Sequence, residues 1–246
     1  MKILTVDIGT RNLAWCMIDS TKLQDYIQEK SNSCGIIKWG KTDLIENFIH
    51  YCEHYIEKAN KRCKAKAKWQ ARIKNGKYIM KPLYVCGRHL DKKNIKMYKP
   101  YKQKTTKNFK RIEIHNLLLD WLESKKEWLI DVNKVYIELQ MTRNPSMKMI
   151  AHVMYTWFLI QKRILNSKQC LQVISFMSAK YKLQNDVYNL LKDNRPNLKK
   201  KKVRKDESVR LCLKLLKRDK RKYKFLSHHS KKDDLCDTLL MCIKQL

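Results

Sequence analysis

The sequence predicts an α/β domain on one mixed sheet, flanked by helices and interrupted by a basic Cys/His insertion. Three observations carry this. Three apolar runs with short connections open the chain. Helix-spaced and strand-spaced segments alternate after residue 112. Between them lies a block of like charge with little apolar content.

Ile3 to Asp7 is a short apolar run ending in Asp7-Ile8-Gly9-Thr10, a buried strand and then a turn. Leu13 to Ile18 follows so closely that the two strands form a hairpin, and Cys34 to Trp39 completes an antiparallel meander. Lys58 to Arg111 holds twenty lysines and arginines against one acid, Asp91, so it reads as an insertion at about residues 52–110 of a domain spanning 1–246. Ile112 to Leu129 places Ile114, Leu117, Leu118, Trp121 and Leu122 at helical spacing. Val135 to Leu139 is a strand, Met147 to Leu165 a long apolar helix, and Leu171 to Phe176 another strand. Asp186 to Leu198 has no clear period. Lys199 to Lys217 starts as a basic run and becomes a helix through Val209, Leu211, Leu213, Leu215 and Leu216. Ser230 to Leu246 is a C-terminal helix. The strands after the insertion therefore add in parallel to the antiparallel three.

The charge points to a partner. Among 246 residues, 55 Lys and Arg face 23 Asp and Glu, a formal net charge of +32, while 43% hydrophobic residues suit a folded protein. A compact state so charged repels itself, and nucleic acid is the natural polyanion to relieve it. No run approaches the ~20 apolar residues of a bilayer span, so no membrane is expected. Nine cysteines without a secretory signal indicate a reducing compartment.

Four acids are placed for chemistry. Asp7 ends the first strand, Glu138 lies on Val135-Tyr136-Ile137-Glu138-Leu139, and Asp234 and Asp237 share one face of the last helix. A carboxylate on a buried strand is costly unless paired, protonated or bound to metal. Converging at the sheet edge, the four suit two Mg²⁺ ions about 4 Å apart, one favouring the attacking water and one the leaving oxygen. Taken singly, Asp7 also suits a turn, and Glu138 suits an ion pair with a lysine.

Val6-Asp7-Ile8-Gly9-Thr10-Arg11-Asn12, Ile137-Glu138-Leu139-Gln140-Met141-Thr142-Arg143 and Lys232-Asp233-Asp234-Leu235-Cys236-Asp237 together resemble the three acidic motifs of RuvC-like Holliday junction resolvases. The similarity is to the branch found in poxviruses, large DNA viruses and mitochondria. It implies an RNase H-like fold, a homodimer, and Mg²⁺-dependent cutting of four-way DNA junctions in recombination and repair, with Mn²⁺ an acceptable substitute. By position it makes Asp7, Glu138, Asp234 and Asp237 the metal ligands, with Asp233 the alternative if the pairing slips by one. It sets Arg11, Gln140 and Arg143 near the DNA. A catalytic lysine ahead of the last helix is implied, with Lys205 the candidate and Lys202 beside it. An intracellular site, host cytoplasm or a viral replication site, follows from the resemblance and from the lack of a signal or transit segment. The insertion departs from the shorter members of the family.

Within the insertion, Cys52, Cys63, Cys86 and His89 offer three thiols and an imidazole, enough for a structural Zn²⁺ that would help so basic a segment fold. Only Cys86-Gly87-Arg88-His89 has tight metal spacing. The other reading puts Cys52 on a helix from Leu44 to Ala59 as a small buried residue. Trp69, Tyr78 or Tyr84 would stack on bases exposed at a branch. Three further readings compete with the resolvase: an RNase H acting on RNA–DNA hybrids, a non-catalytic nucleic-acid-binding protein, and an actin-like ATPase. The last lacks a second Gly-rich phosphate loop.

Overall fold

The computed structural model describes residues 1–9, 12–71, 74–75, 78–79, 82–139, 145–165, 171–178, 182–191, 193 and 201–246. The chain divides into two compact units, Met1–Leu44 with Arg111–Leu246, and Ile45–Lys110. Among the described residues no helix is long and apolar enough to cross a membrane.

The first unit opens with β1 (Lys2–Ile8) and β2 (Asn12–Asp19), antiparallel, with Asp7 opposite Ala14. The expected direct step to the third strand is broken by a helix, α1 (Ser20–Ile27). Its signal is local. The Asp19 carboxylate accepts hydrogen bonds from the backbone N–H groups of Thr21 and Lys22, closing the first turn. β3 (Ile36–Asp43) then pairs antiparallel with β2. Gly40 on β3 is required by close approach. A β-carbon there would lie 2.7 Å from the Trp15 ring, which also packs on Trp121 and Trp128, with centroids at 5.1 and 6.4 Å.

The second unit is made of short pieces. Residues 44–59 form no α-helix. They carry two single 3₁₀ turns, Glu46–Phe48 and Glu57–Ala59, and the strand β4 (Tyr55–Ile56). β4 pairs with β5 (Lys61–Arg62) across Asn60, whose φ of 46° is left-handed. β6 (Trp69–Ala71), β7 (Lys74–Asn75), β8 (Tyr78–Ile79), β9 (Leu83–Val85) and β10 (Tyr98–Pro100) follow. β6 lies between β10 and β9, and β7 pairs with β8. Its small apolar cluster is Cys52, Val85 and Cys86, with Cys63, Trp69, Leu83, Leu90 and Tyr98 packed around them.

The first unit resumes with α2 (Arg111–Ser124) and α3 (Lys126–Leu129), β11 (Lys134–Leu139), α4 (Pro145–Leu165) and β12 (Val173–Ser178). α5 (Asn185–Leu190), α6 (Lys201–Leu216), α7 (Lys220–His228) and α8 (Lys232–Ile243) complete it. The sheet order is β12-β11-β1-β2-β3, with β1, β11 and β12 parallel and the first three strands antiparallel. This is an RNase H-like, mixed-sheet α/β fold.

Alternation along the strands assigns the two faces. Ile3 on β1, Cys16 and Ile18 on β2 and Tyr136 on β11 join the core formed with α1, α5, α6, α7 and α8. Buried Thr5 donates to the Thr238 carbonyl at 2.7 Å, tying β1 to α8 on that face. The alternate residues of β1 and β11, such as Leu4 and Val135, point to the other face, which α4 covers and where α2 packs on α4. α7 and α1 were not expected from sequence. Both are short, and the basic run Lys220-Arg221-Lys222 hides the one buried apolar residue of α7, Leu226.

Candidate active site

The same alternation that buries Ile3 and Thr5 turns Asp7 toward α8. Tyr136 and Glu138 follow the same parity on β11. Val6 pairs with Ile137 in parallel register, so Asp7 and Glu138 end adjacent parallel strands. The row continues through Ala14 on β2 to Lys41 on β3. α8 lies over this face and brings Asp234 and Asp237, one turn apart, to the same end of the sheet. The carboxyl ends of parallel strands are where ligands of open α/β sheets bind.

A lysine stands among these acids. Lys182, just beyond β12, is only 5% exposed. Its Nζ lies 2.9 Å from Asp237 Oδ2, 3.0 Å from Glu138 Oε1 and 3.9 Å from Asp7 Oδ2. Buried Leu183, packed in the core, anchors the segment that carries it. Lys41 pairs with Asp234, so four carboxylates face two ammonium groups.

The electrostatics follow from that imbalance. Burial, and then a hydrogen bond with Glu138, hold the Asp7 carboxyl well above the usual carboxylate range, although Lys182 pulls the other way. Burial also raises Asp237, with Lys182 opposing. Burial alone would lower Lys182, but Asp7, Asp237 and Glu138 outweigh it and raise its pKa. Asp233 turns to Lys205 instead. Burial pushes its pKa up, and the Lys205 hydrogen bond brings it below the usual value.

The donors are all oxygens and include acids that burial disfavours as anions, which suits a hard divalent cation. The Lys182 ammonium sits between three of the carboxylates, a position of positive charge that the site itself calls for.

Of the residues expected from sequence, Asp7, Glu138 and Asp237 converge on Lys182, and Asp234 joins them through its electrostatic contact with Asp7. Lys205 is half exposed and paired with Asp233, whereas Lys182 and Lys41 are the lysines paired with the four acids. Lys202 lies in the first turn of α6, its side chain outside the described residues. Arg11, Gln140 and Arg143 also lie outside the described residues. Sequence reasoning missed Lys182 and Lys41, because neither sits in a motif among 55 basic residues. The one usable signal was Lys182-Leu183, a lysine beside a core leucine just after a strand.

A third feature was also missed. On α7 and at its C-terminal cap, Arg221, Lys224, Phe225, His228 and His229 line a shallow depression of about 510 Å³. Phe225 packs on Trp39 with centroids 5.5 Å apart, and the Trp39 indole N–H donates to the Leu235 carbonyl, next to Asp234.

In the second unit, Cys52, Cys63, Cys86 and His89 come together, with all their ligand atoms within 4.8 Å of one another. His89 Nδ1 is 3.4 Å from Cys52 Sγ and 3.5 Å from Cys86 Sγ. Burial raises the Cys86 thiol, but backbone N–H groups of His89 and Arg88 directed at it bring it below its usual value. The alternative reading, a helix from Leu44 to Ala59 carrying Cys52, does not hold. The Cys52 N–H instead donates to the Ala65 carbonyl in an irregular segment, because the run holds no sustained helical stripe. Trp69 is half-buried against this cluster. Tyr84 is buried and stacked on His50 at 3.9 Å, so it is not a free surface for bases. The Tyr78 side chain lies outside the described residues.

No protein-family model matches the chain. An uncharacterized protein of Acanthamoeba polyphaga mimivirus is 27% identical over 243 residues, which take in 93% of this chain and 52% of that protein. The chain thus spans about half the length of the curated relative it matches. Among solved structures, the yeast mitochondrial Holliday junction resolvase Ydc2 is similar, with a TM-score of 0.50 and 14% identity, covering 98% of this chain and 77% of that one. At that identity the likeness shows the fold, which is resolvase-like.

Proposed function

We propose that the chain is a structure-specific endonuclease that resolves four-way DNA junctions by metal-assisted phosphodiester hydrolysis. One observation carries this reading: three carboxylates from β1, β11 and α8 gather around buried Lys182, with Asp234 beside them on Lys41, on a fold shared with a Holliday junction resolvase. Asp7, Glu138, Asp234 and Asp237 would hold Mg²⁺, or Mn²⁺ in its place. Bound there, the metal would favour an ionised water and offset charge on the leaving oxygen. Lys182 keeps Glu138 and Asp237 from repelling each other and would be a buried donor to an incoming phosphate. Lys41 holds Asp234 against β3. Arg221 and Lys224 add phosphate contacts beside exposed Phe225, and the charge of +32 supports a polyanionic substrate.

Cleavage of a labelled four-way junction, compared with an RNA–DNA hybrid and a linear duplex, tests the substrate. Junction cutting far above the other two is expected. Preferential cutting of the RNA strand of the hybrid would put the protein with RNase H instead.

The ligand assignment has its own test. Asp234→Asn abolishes cleavage, while Asp233→Asn, which frees Lys205 from an exposed pair, leaves cleavage within a few-fold of wild type. Loss with Asp233→Asn and retention with Asp234→Asn would move the ligand by one residue.

The reading includes a homodimer, because two symmetric nicks need two sites. α4 offers an exposed apolar face, with Ile160 48% and Ile164 65% exposed. A groove of about 450 Å³ lies beside them, lined by Met149, Val153, Trp157 and Ile160 with His115 and Leu119 of α2. Ile160→Lys is expected to turn a dimer into a monomer in sedimentation. An unchanged dimer would place the seam elsewhere. The eight described cysteines form no disulfide, which fits a reducing intracellular site such as a viral replication compartment in host cytoplasm.

A further inference from the structure

We infer that Cys52, Cys63, Cys86 and His89 bind one structural zinc ion, and that this ion holds together the small apolar cluster of residues 45–110. The inference does not rest on the nuclease reading. Around a tetrahedral zinc, with Zn–S near 2.3 Å and Zn–N near 2.0 Å, sulfur and nitrogen lie about 3.5 Å apart. Two S···N separations in the structure are 3.4 and 3.5 Å, and all four ligand atoms fall within 4.8 Å. The set comes from three separate segments. Cys52 precedes β4, Cys63 follows β5, and Cys86 and His89 follow β9. A bound ion would therefore pin the β4–β5 hairpin to the end of the three-stranded sheet.

Backbone N–H groups and a second imidazole flank the site. Backbone N–H groups of Arg88 and His89 are directed at Cys86 Sγ, and those of His54 and Cys86 at Cys52 Sγ. The His54 ring stacks on His89 with centroids 4.0 Å apart, fixing the imidazole plane so that Nδ1 faces the sulfurs. Three thiolates and a neutral imidazole give a zinc site one net negative charge. That charge is favoured within residues 45–110, where nineteen lysines and arginines face Glu46, Glu53, Glu57 and Asp91.

The folding role follows from what is buried. In the apolar cluster of this unit, the buried residues are Cys52, Val85 and Cys86, so two of the three are ligands. Without a metal the cluster would hold three thiols, Val85 and a few partly buried apolar side chains to oppose charge repulsion. With it, the metal–ligand bonds supply folding free energy directly. The sulfur-rich tetrahedral set selects zinc over the hard cation of the carboxylate site.

The test is elemental analysis of the full chain produced with zinc, manganese and iron in the medium. One zinc per chain is expected, falling close to none in Cys63→Ser and in Cys86→Ser, while His89→Cys keeps it. Cobalt exchanged into the wild type should give the intense visible bands of a tetrahedral thiolate site. Stripping the zinc should open residues 45–110 to limited proteolysis while the rest of the chain stays protected, and zinc should restore protection. Wild-type protein without zinc, iron in its place, a disulfide among the three cysteines, or zinc unchanged in both serine variants would overturn the site. Zinc removal that leaves proteolysis unchanged would overturn its folding role.

Discussion

Replacing Asp7 by Asn lowers junction cleavage by on the order of 10³-fold or more, as expected for removing one charged member of a preorganised site. Binding of the junction persists, because the phosphate contacts come from basic residues elsewhere. The same substitution stabilises the metal-free protein. The Asp7 carboxyl is raised above its unfolded value by burial and by Glu138. A group so raised contributes stability only at low pH, lost as pH rises through the folded value, and at neutral pH its ionisation works against folding. An uncharged amide removes that burden, so the thermal midpoint without metal rises near neutrality and the gain vanishes in acid. Added Mg²⁺ should then raise the midpoint of the wild type more than that of the variant. A lower midpoint without metal would contradict this account of the carboxylates.

Lys182→Met is expected to have the opposite effect on stability. Lys182 is buried and within 3.0 Å of both Glu138 and Asp237. Removing one partner of a buried ion pair costs about 3–5 kcal/mol, because the charge left behind has no compensation. The deficit should shrink as pH falls, since Asp7 and Asp237 then protonate and no longer need the ammonium. It should also shrink with Mg²⁺, more steeply than for wild type, if the metal and the lysine answer the same negative charge. Cleavage at saturating Mg²⁺ falls about 10²–10³-fold if the ammonium also meets the phosphate. Full cleavage with only a lowered midpoint would make Lys182 a structural counterion.

The sheet was legible because its strands obey simple parity. Ile3, Asp7 and Glu138 could be placed on strands from apolar runs alone, and the helical spacing of Asp234 and Asp237 set them on one face. What parity cannot give is which of many lysines approaches the acids. Lys182 follows β12 by a few residues and reaches the site through the chain's return to the core at Leu183, a tertiary event. Lys205, nearer the acids in sequence, lies on α6 and meets Asp233 instead. The helices α1 and α7 were missed for a related reason. Each is short, and each begins at an aspartate cap, Asp19 or Asp219, that is easily lost in a charged chain. The insertion was the reverse case. Its strands had no readable period, yet its four ligands were legible as a residue set, because the chemistry of thiols and imidazole constrains it more than the backbone does.

Mapping nicks on a four-way DNA junction, labelled on each strand in turn, with Mg²⁺ present, decides whether the protein is a resolvase. Paired nicks at symmetric positions in opposed strands are expected, lost with Asp7→Asn while the junction stays bound. Tight, salt-sensitive binding with no nick in any strand would contradict the resolvase reading and leave a basic DNA-binding protein whose carboxylates serve only the fold.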